Sequence, residues 1–269
     1  MERRRRGEDF FNNYMKVLEY AVESKADLVM HGGDFFFQSM IPIPIFDEPL
    51  TFFFKKKNAI IGITGFPNIR NRIRLQFENI LKKATEGNPE VDIKLLLMYQ
   101  TIQESKIEGY TFRYGIDILP LDMLPADYYA VLSGYIHRAQ IFHYEKAGIK
   151  IPVIYPGSTE RTSVVEMAEE KGFYELIFDE SKNGWKLTET KFHILPTRPM
   201  IRLDITKLTE DEKVLRNLLE AELSKLDQNS VVRLRCDIPE TRKLLKAELL
   251  RELTPKAMTL TLAPVYKRR

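Results

Sequence analysis

The side chains best able to do chemistry in this sequence sit in four short runs. They are Gly32-Gly33-Asp34, Tyr99-Gln100, Gly134-Tyr135-Ile136-His137-Arg138 and Tyr155-Pro156-Gly157-Ser158-Thr159-Glu160-Arg161. Asp34 follows the apolar run 27–31, which reads as a buried strand, so its carboxylate falls in a turn past a strand's C-terminal end. In α/β sheets ligands gather at that edge. The plain alternative is a turn aspartate that caps nearby amides. His137 has a similar alternative, a partly buried imidazole satisfied by a backbone group. Arg138 and Arg161 suit a phosphate, or equally a local ion pair. The run Phe52-Phe53-Phe54-Lys55-Lys56-Lys57 resembles a base-stacking platform beside a basic strip, but it fits a core strand and its hairpin better.

Positioning these groups requires a mixed α/β framework. Phe11, Tyr14, Met15, Leu18 and Val22 recur at helical spacing through 8–25. Short apolar runs at 27–31, 59–64, 93–98, 129–133 and 153–155 predict buried strands, with a helix over 69–83 between the second and third. From Lys171 the pattern becomes antiparallel β, with strands over 172–178 and 185–192 joined by the turn-like Ser181-Lys182-Asn183-Gly184. After Pro196 and Pro199 the chain predicts a small βαβαβ unit: strands at 200–205, 230–236 and 258–262, helices at 209–226 and 239–253. Thr209 and Glu212 have the spacing of a capping box for the first of these helices.

With 269 residues, 44% of them hydrophobic, the chain can bury one substantial core and a smaller second one. No apolar run is long enough to span a bilayer, and the start Met1-Glu2-Arg3-Arg4-Arg5-Arg6 lacks the apolar segment of a secretory signal, so a cytoplasmic location is expected. Its single cysteine, Cys236, lies in an alternating run and reads as a small strand or core residue, which argues against cysteine chemistry. The net charge of +3 is compatible with nucleic acid but does not point to it. The basic clusters Arg3 to Arg6, Lys55 to Lys57 and Lys267 to Arg269 read singly as solvated faces or tails.

Taken in order, the four runs resemble the calcineurin-like metallophosphoesterase superfamily. Within it they are most similar to the SbcD, or Mre-eleven, family of double-strand-break-repair nucleases. Gly-Gly-Asp alone is a weak signal; Tyr-Pro-Gly-Ser-x-Glu-Arg soon after Gly-x-x-His is a much stronger one. The resemblance covers nearly the whole chain. It implies a calcineurin-like α/β core over 1–195, with sheets flanked by helices, followed by a small α/β capping domain over 196–269 that helps grip DNA.

Family members hydrolyse phosphodiesters with two divalent metals, usually manganese, held by carboxylate and imidazole ligands. By this resemblance Asp34 falls on the bridging ligand and His137 on the second histidine of Gly-His-x-His. Tyr99 and Tyr135 stand where the family has its other two imidazoles. The Asp-x-His strand and the Gly-Asn-His segment, with its general-acid histidine, have no counterpart. The expectation is therefore a pseudo-nuclease retaining at most DNA binding, with Asp34 and His137 as vestigial ligands within bridging distance and Arg138 and Arg161 as candidate phosphate contacts. The alternatives are an active manganese-dependent DNA exo- or endonuclease, or a regulatory subunit that pairs with an intact paralogue. The family's SbcC-type coiled-coil ATPase binds a helical segment beyond the capping domain, and none is present here, which puts that partnership in doubt. The loss of the helices through which the family dimerises does the same for family-type dimers.

Overall fold

Residues 93–98, Ile-Lys-Leu-Leu-Leu-Met, leave little room for a solvent face, and the chain buries them at the centre of a sheet. The computed structural model describes residues 2–33, 46–56, 58–182 and 184–264, with side chains from Arg6 onward. Asp34, Lys57, Asn183 and the basic end Lys267 to Arg269 lie outside them. In chain order the elements are α1 (Glu2–Glu23), β1 (Leu50–Lys56), β2 (Ala59–Gly65), α2 (Ile73–Thr85), β3 (Ile93–Met98), β4 (Lys106–Ile107), β5 (Tyr110–Thr111), β6 (Ala130–Ser133), β7 (Gln140–Lys146), β8 (Ile149–Tyr155), β9 (Gly172–Ser181) and β10 (Gly184–Ile194). There follow β11 (Met200–Ile205), α3 (Glu212–Leu223), β12 (Val231–Cys236), α4 (Pro239–Leu244), α5 (Ala247–Leu253) and β13 (Thr259–Leu262). The fold is mixed α/β, with a central mixed sheet flanked by helices. No helix among the described residues is long and apolar enough to cross a membrane.

The chain divides into two units. The larger, Asn12–Glu160 with Glu169–Leu195, is built on a six-stranded sheet in the order β1-β2-β3-β6-β8-β7. Strands β2, β3, β6 and β8 run parallel, and β1 and β7 close the edges antiparallel. Alternation along each strand splits its apolar residues between two faces. Leu96, Met98, Val131, Val153 and Tyr155 share one core with Ile73 and Phe77 of α2. Ile93, Leu95, Ala130, Leu132 and Ile154 form the other, packed against Tyr174, Leu176, Phe178 and Trp185 of the β9–β10 hairpin. Burial on both faces explains why β3 and β6 read as near-continuous apolar runs.

The smaller unit gathers Met1–Phe11, Arg161–Ala168 and Pro196–Arg269. Its sheet β11-β12-β13 is parallel throughout, the outcome of a βαβαβ chain. Leu215, Leu219 and Leu223 are spaced four apart on α3; the first two pack with Leu234, Cys236, Leu245 and Leu249, and Leu223 packs with Val232 and Met258. Cys236 is accordingly a buried strand residue.

Four expectations need correction. Residues 27–31 are not a strand: Leu28 and Val29 are exposed, and among the described residues no strand pairs with them to supply the ladder that extended backbone needs. The stripe on α1 is only half used, since Phe11 and Val22 are exposed and the buried residue is Asn13. On α3 the N-cap is Asp211, whose carboxylate accepts from the Lys213 N–H at 2.8 Å, while Thr209 lies outside the helix. The helix over 239–253 is broken at Leu245 and Lys246, which leave helical geometry (ψ 63° and 153°); Leu245 and Leu249 are both buried.

Candidate functional site

Because β2, β3, β6 and β8 are parallel, their C-terminal ends share one sheet edge, the edge at which such sheets hold ligands. Tyr99-Gln100 leaves β3 there, Gly134 to Arg138 leaves β6, and Pro156 to Glu160 leaves β8. Gly32-Gly33 reaches the same place without a strand. Its carbonyl approaches Gly134 so closely that a methyl on Gly134 would lie 1.9 Å from the Gly32 oxygen. Tyr99 lays its ring on both segments; a methyl on Gly33 would sit 2.3 Å from that ring, and one on Gly134 2.9 Å.

Hydroxyls fasten the strand ends together. Ser133 and Tyr155 both donate to the Gln100 carbonyl at 2.8 Å, and the Ile102 N–H donates to the Tyr155 oxygen at 2.8 Å. Burial pushes the Tyr155 phenol far above its ordinary range, so it stays a neutral donor. The Gln100 side chain bridges to the loop after β2: its oxygen accepts from the Ile69 N–H (2.6 Å) and its nitrogen donates to the Ile69 carbonyl (3.2 Å).

His137 is held through its backbone. Its carbonyl accepts from the Ser158 N–H at 3.1 Å and from the ammonium of Lys171 at 2.8 Å. Lys171 is fully buried and pairs with Glu169 at 2.9 Å. Thr159 is tied in by Asn13, whose amide donates to the Thr159 carbonyl at 2.8 Å. Sequence reading gave no role to Asn13, Ser133 or Lys171, and Tyr155 entered only as the first residue of its motif. The one signal was an ionisable residue at the threshold of a buried strand, in Lys171-Gly172-Phe173.

Tyr135 is unusual. Its φ is +78°, in the left-handed region that a bulky residue enters at a cost of about 1–3 kcal/mol, and it is 51% exposed. Its ring meets Tyr99 edge to face, with centroids 5.2 Å apart. Beside it opens a cavity of about 560 Å³, lined also by Asn68, Ile69, Arg70, Gln100, Tyr110, Phe112 and Asp117.

Of the residues singled out from sequence, Tyr99, Tyr135, His137 and Arg138 come together on this edge. Asp34, expected within bridging distance of His137, lies outside the described residues. Arg138 is exposed and, among the described residues, forms no ion pair. Arg161 belongs to the smaller unit, where its guanidinium donates to Thr197 Oγ1 (2.6 Å) and to the carbonyls of Arg198 and Glu166 (3.2 Å each). These are anchoring contacts. His31 accepts from the Gly33 N–H at 3.1 Å, and His193 pairs with Glu175.

The donor set at this edge does not fit a centre of two divalent cations. No three His, Cys, Asp or Glu cluster as metal ligands among the described residues. The side chains that crowd the edge are two phenols, Tyr99 packed on the backbone of Gly33 and Gly134 and Tyr135 edge to face on Tyr99, and phenols are poorer ligands for divalent cations than imidazoles. No known family model matches the sequence, and no curated protein matches it.

Proposed function

We propose that this chain is a relative of the SbcD-type nucleases, with a calcineurin-like metallophosphoesterase core and a small capping domain, whose two-metal site has been dismantled and which binds DNA without cutting it. The observation that carries the reading is convergence. Four runs separated by up to about 120 residues in the sequence, each similar to a family motif, meet on one sheet edge through Gly32, Tyr99, Gly134, His137 and Ser158. Parallel strands bring the last three runs to that edge in any such sheet; what adds to the reading is that Gly32-Gly33, which follows no strand, packs there against Tyr99 and Gly134. The loss of cleavage follows from Tyr99 and Tyr135: phenols in place of two imidazole nitrogens leave too few good ligands to hold two cations.

The decisive experiment is a manganese-supplemented nuclease assay on the purified chain, run beside an electrophoretic binding assay on linear DNA. The expected outcome is a shifted but uncut substrate, with no stoichiometric manganese in the protein. Cutting that disappears in Asp34→Ala would overturn the reading.

A further inference from the structure

The phenols at the sheet edge do more than displace metal ligands. Tyr135 presents a half-exposed ring to a cavity whose volume, about 560 Å³, lies in the range that takes a small organic ligand. Tyr110, itself 53% exposed and packed edge to face on Phe112 at 5.0 Å, lines the same cavity. Arg70 is at its wall, and Arg72 and Arg74 follow on the same segment. That segment is fixed beside the cavity by backbone: the Arg72 N–H donates to Asp117 at 2.5 Å and the Arg74 N–H to the Ile116 carbonyl at 3.2 Å. All three arginines are exposed, and among the described residues none is in an ion pair. Exposed aromatic rings and the Arg70 guanidinium at one cavity, with Arg72 and Arg74 next in sequence and Asp117 as the one carboxylate in the lining, make an arrangement able to take a base and its phosphate from single-stranded nucleic acid.

We propose that this edge holds an unpaired nucleotide of a single strand, its base stacked on Tyr135 and its backbone along Arg70, Arg72 and Arg74, with no divalent cation taking part. The inference rests on the DNA-binding reading above and adds to it a ligand class and a mode of binding. Two details of the site favour this occupant. The residue that carries the ring is strained, and strain at one exposed aromatic is retained where that ring must point in a set direction. The neighbouring charge is arginine, suited both to phosphate and to stacking.

The test uses the full chain and an oligonucleotide carrying 2-aminopurine at its end, whose fluorescence is quenched on stacking. Quenching should persist in EDTA and be unchanged by manganese. Tyr135→Gly removes the ring and suits the positive φ, so it should leave the melting temperature at or above that of the parent. It should also weaken binding about tenfold and abolish quenching, whereas Tyr135→Phe should retain both. Arg70→Gln should make the affinity less salt-dependent without removing the quench. Binding that needs manganese, or a quench indifferent to Tyr135→Gly, would overturn this inference while leaving the DNA-binding reading in place. Failure to bind any oligonucleotide would overturn both.

Discussion

A lysine with its whole side chain out of solvent survives only if its charge is answered, and Lys171 is answered by Glu169 and by the His137 carbonyl. Lys171→Met should therefore cost about 3 kcal/mol in urea unfolding, because it strands a partly buried carboxylate and removes a donor from the loop that carries Tyr135 and His137. Adding Glu169→Gln should recover part of that loss. Additive losses in the double variant would show that the two residues do not act as a pair. The individual residues also show where sequence reading stops. Tyr99, Tyr135, His137 and Arg138 could be placed at a strand's end because strand order and turn glycines are written locally. Lys171 and Asn13 could not, since what makes them notable is burial of a polar group against a carbonyl 34 and 146 residues away. No local pattern encodes that.

At the level of elements, the four parallel strands of the central sheet were legible from short apolar runs, because parallel strands covered on both faces have a distinctive composition, whereas the edge strand β7 carries no such run and was not read. The same logic failed at residues 27–31, which have the composition but, among the described residues, no pairing partner. Helix α1 failed differently: it is a helix, but its apolar stripe predicts the wrong contacts. What fastens its C-terminal half is polar and aromatic. Tyr20 donates to Glu175 at 2.9 Å, His193 meets the same carboxylate oxygen at 2.9 Å, and Phe173 stacks on the imidazole at 5.0 Å. The bond to His193, and next the bond to Tyr20, hold the Glu175 carboxyl below its ordinary value, and the same bond to Glu175 raises the Tyr20 phenol. A depressed carboxyl pKa stabilises the fold at every pH above the unfolded value of about 4.3, and that contribution disappears as the pH falls through the lower folded value. Glu175→Gln should thus lower the melting temperature at neutral pH and flatten the acid loss of stability below about pH 4. Parallel acid limbs for parent and variant would show that this cluster does not set the acid response.

For the molecule as a whole, the presence of separate apolar cores in each of the two units matters more than any single contact. The larger unit's cores centre on β3, β6 and β8, and the smaller unit's on α3 and β12. No buried residue is shared between them. Chains of this length with more than one core need not unfold in a single step. Leu215 is fully buried in the smaller core, so Leu215→Ala should remove about 3 kcal/mol there by losing transfer energy and leaving a cavity. Hydrogen exchange followed by mass spectrometry should then show faster exchange across α3, β12 and β13. Protection in β3 and β6, whose amides sit between two other apolar layers, should stay at the parent level. If protection falls equally in both sets of strands, the two cores unfold as one. The candidate DNA edge, which belongs to the larger unit, would then depend for its stability on packing in the smaller one.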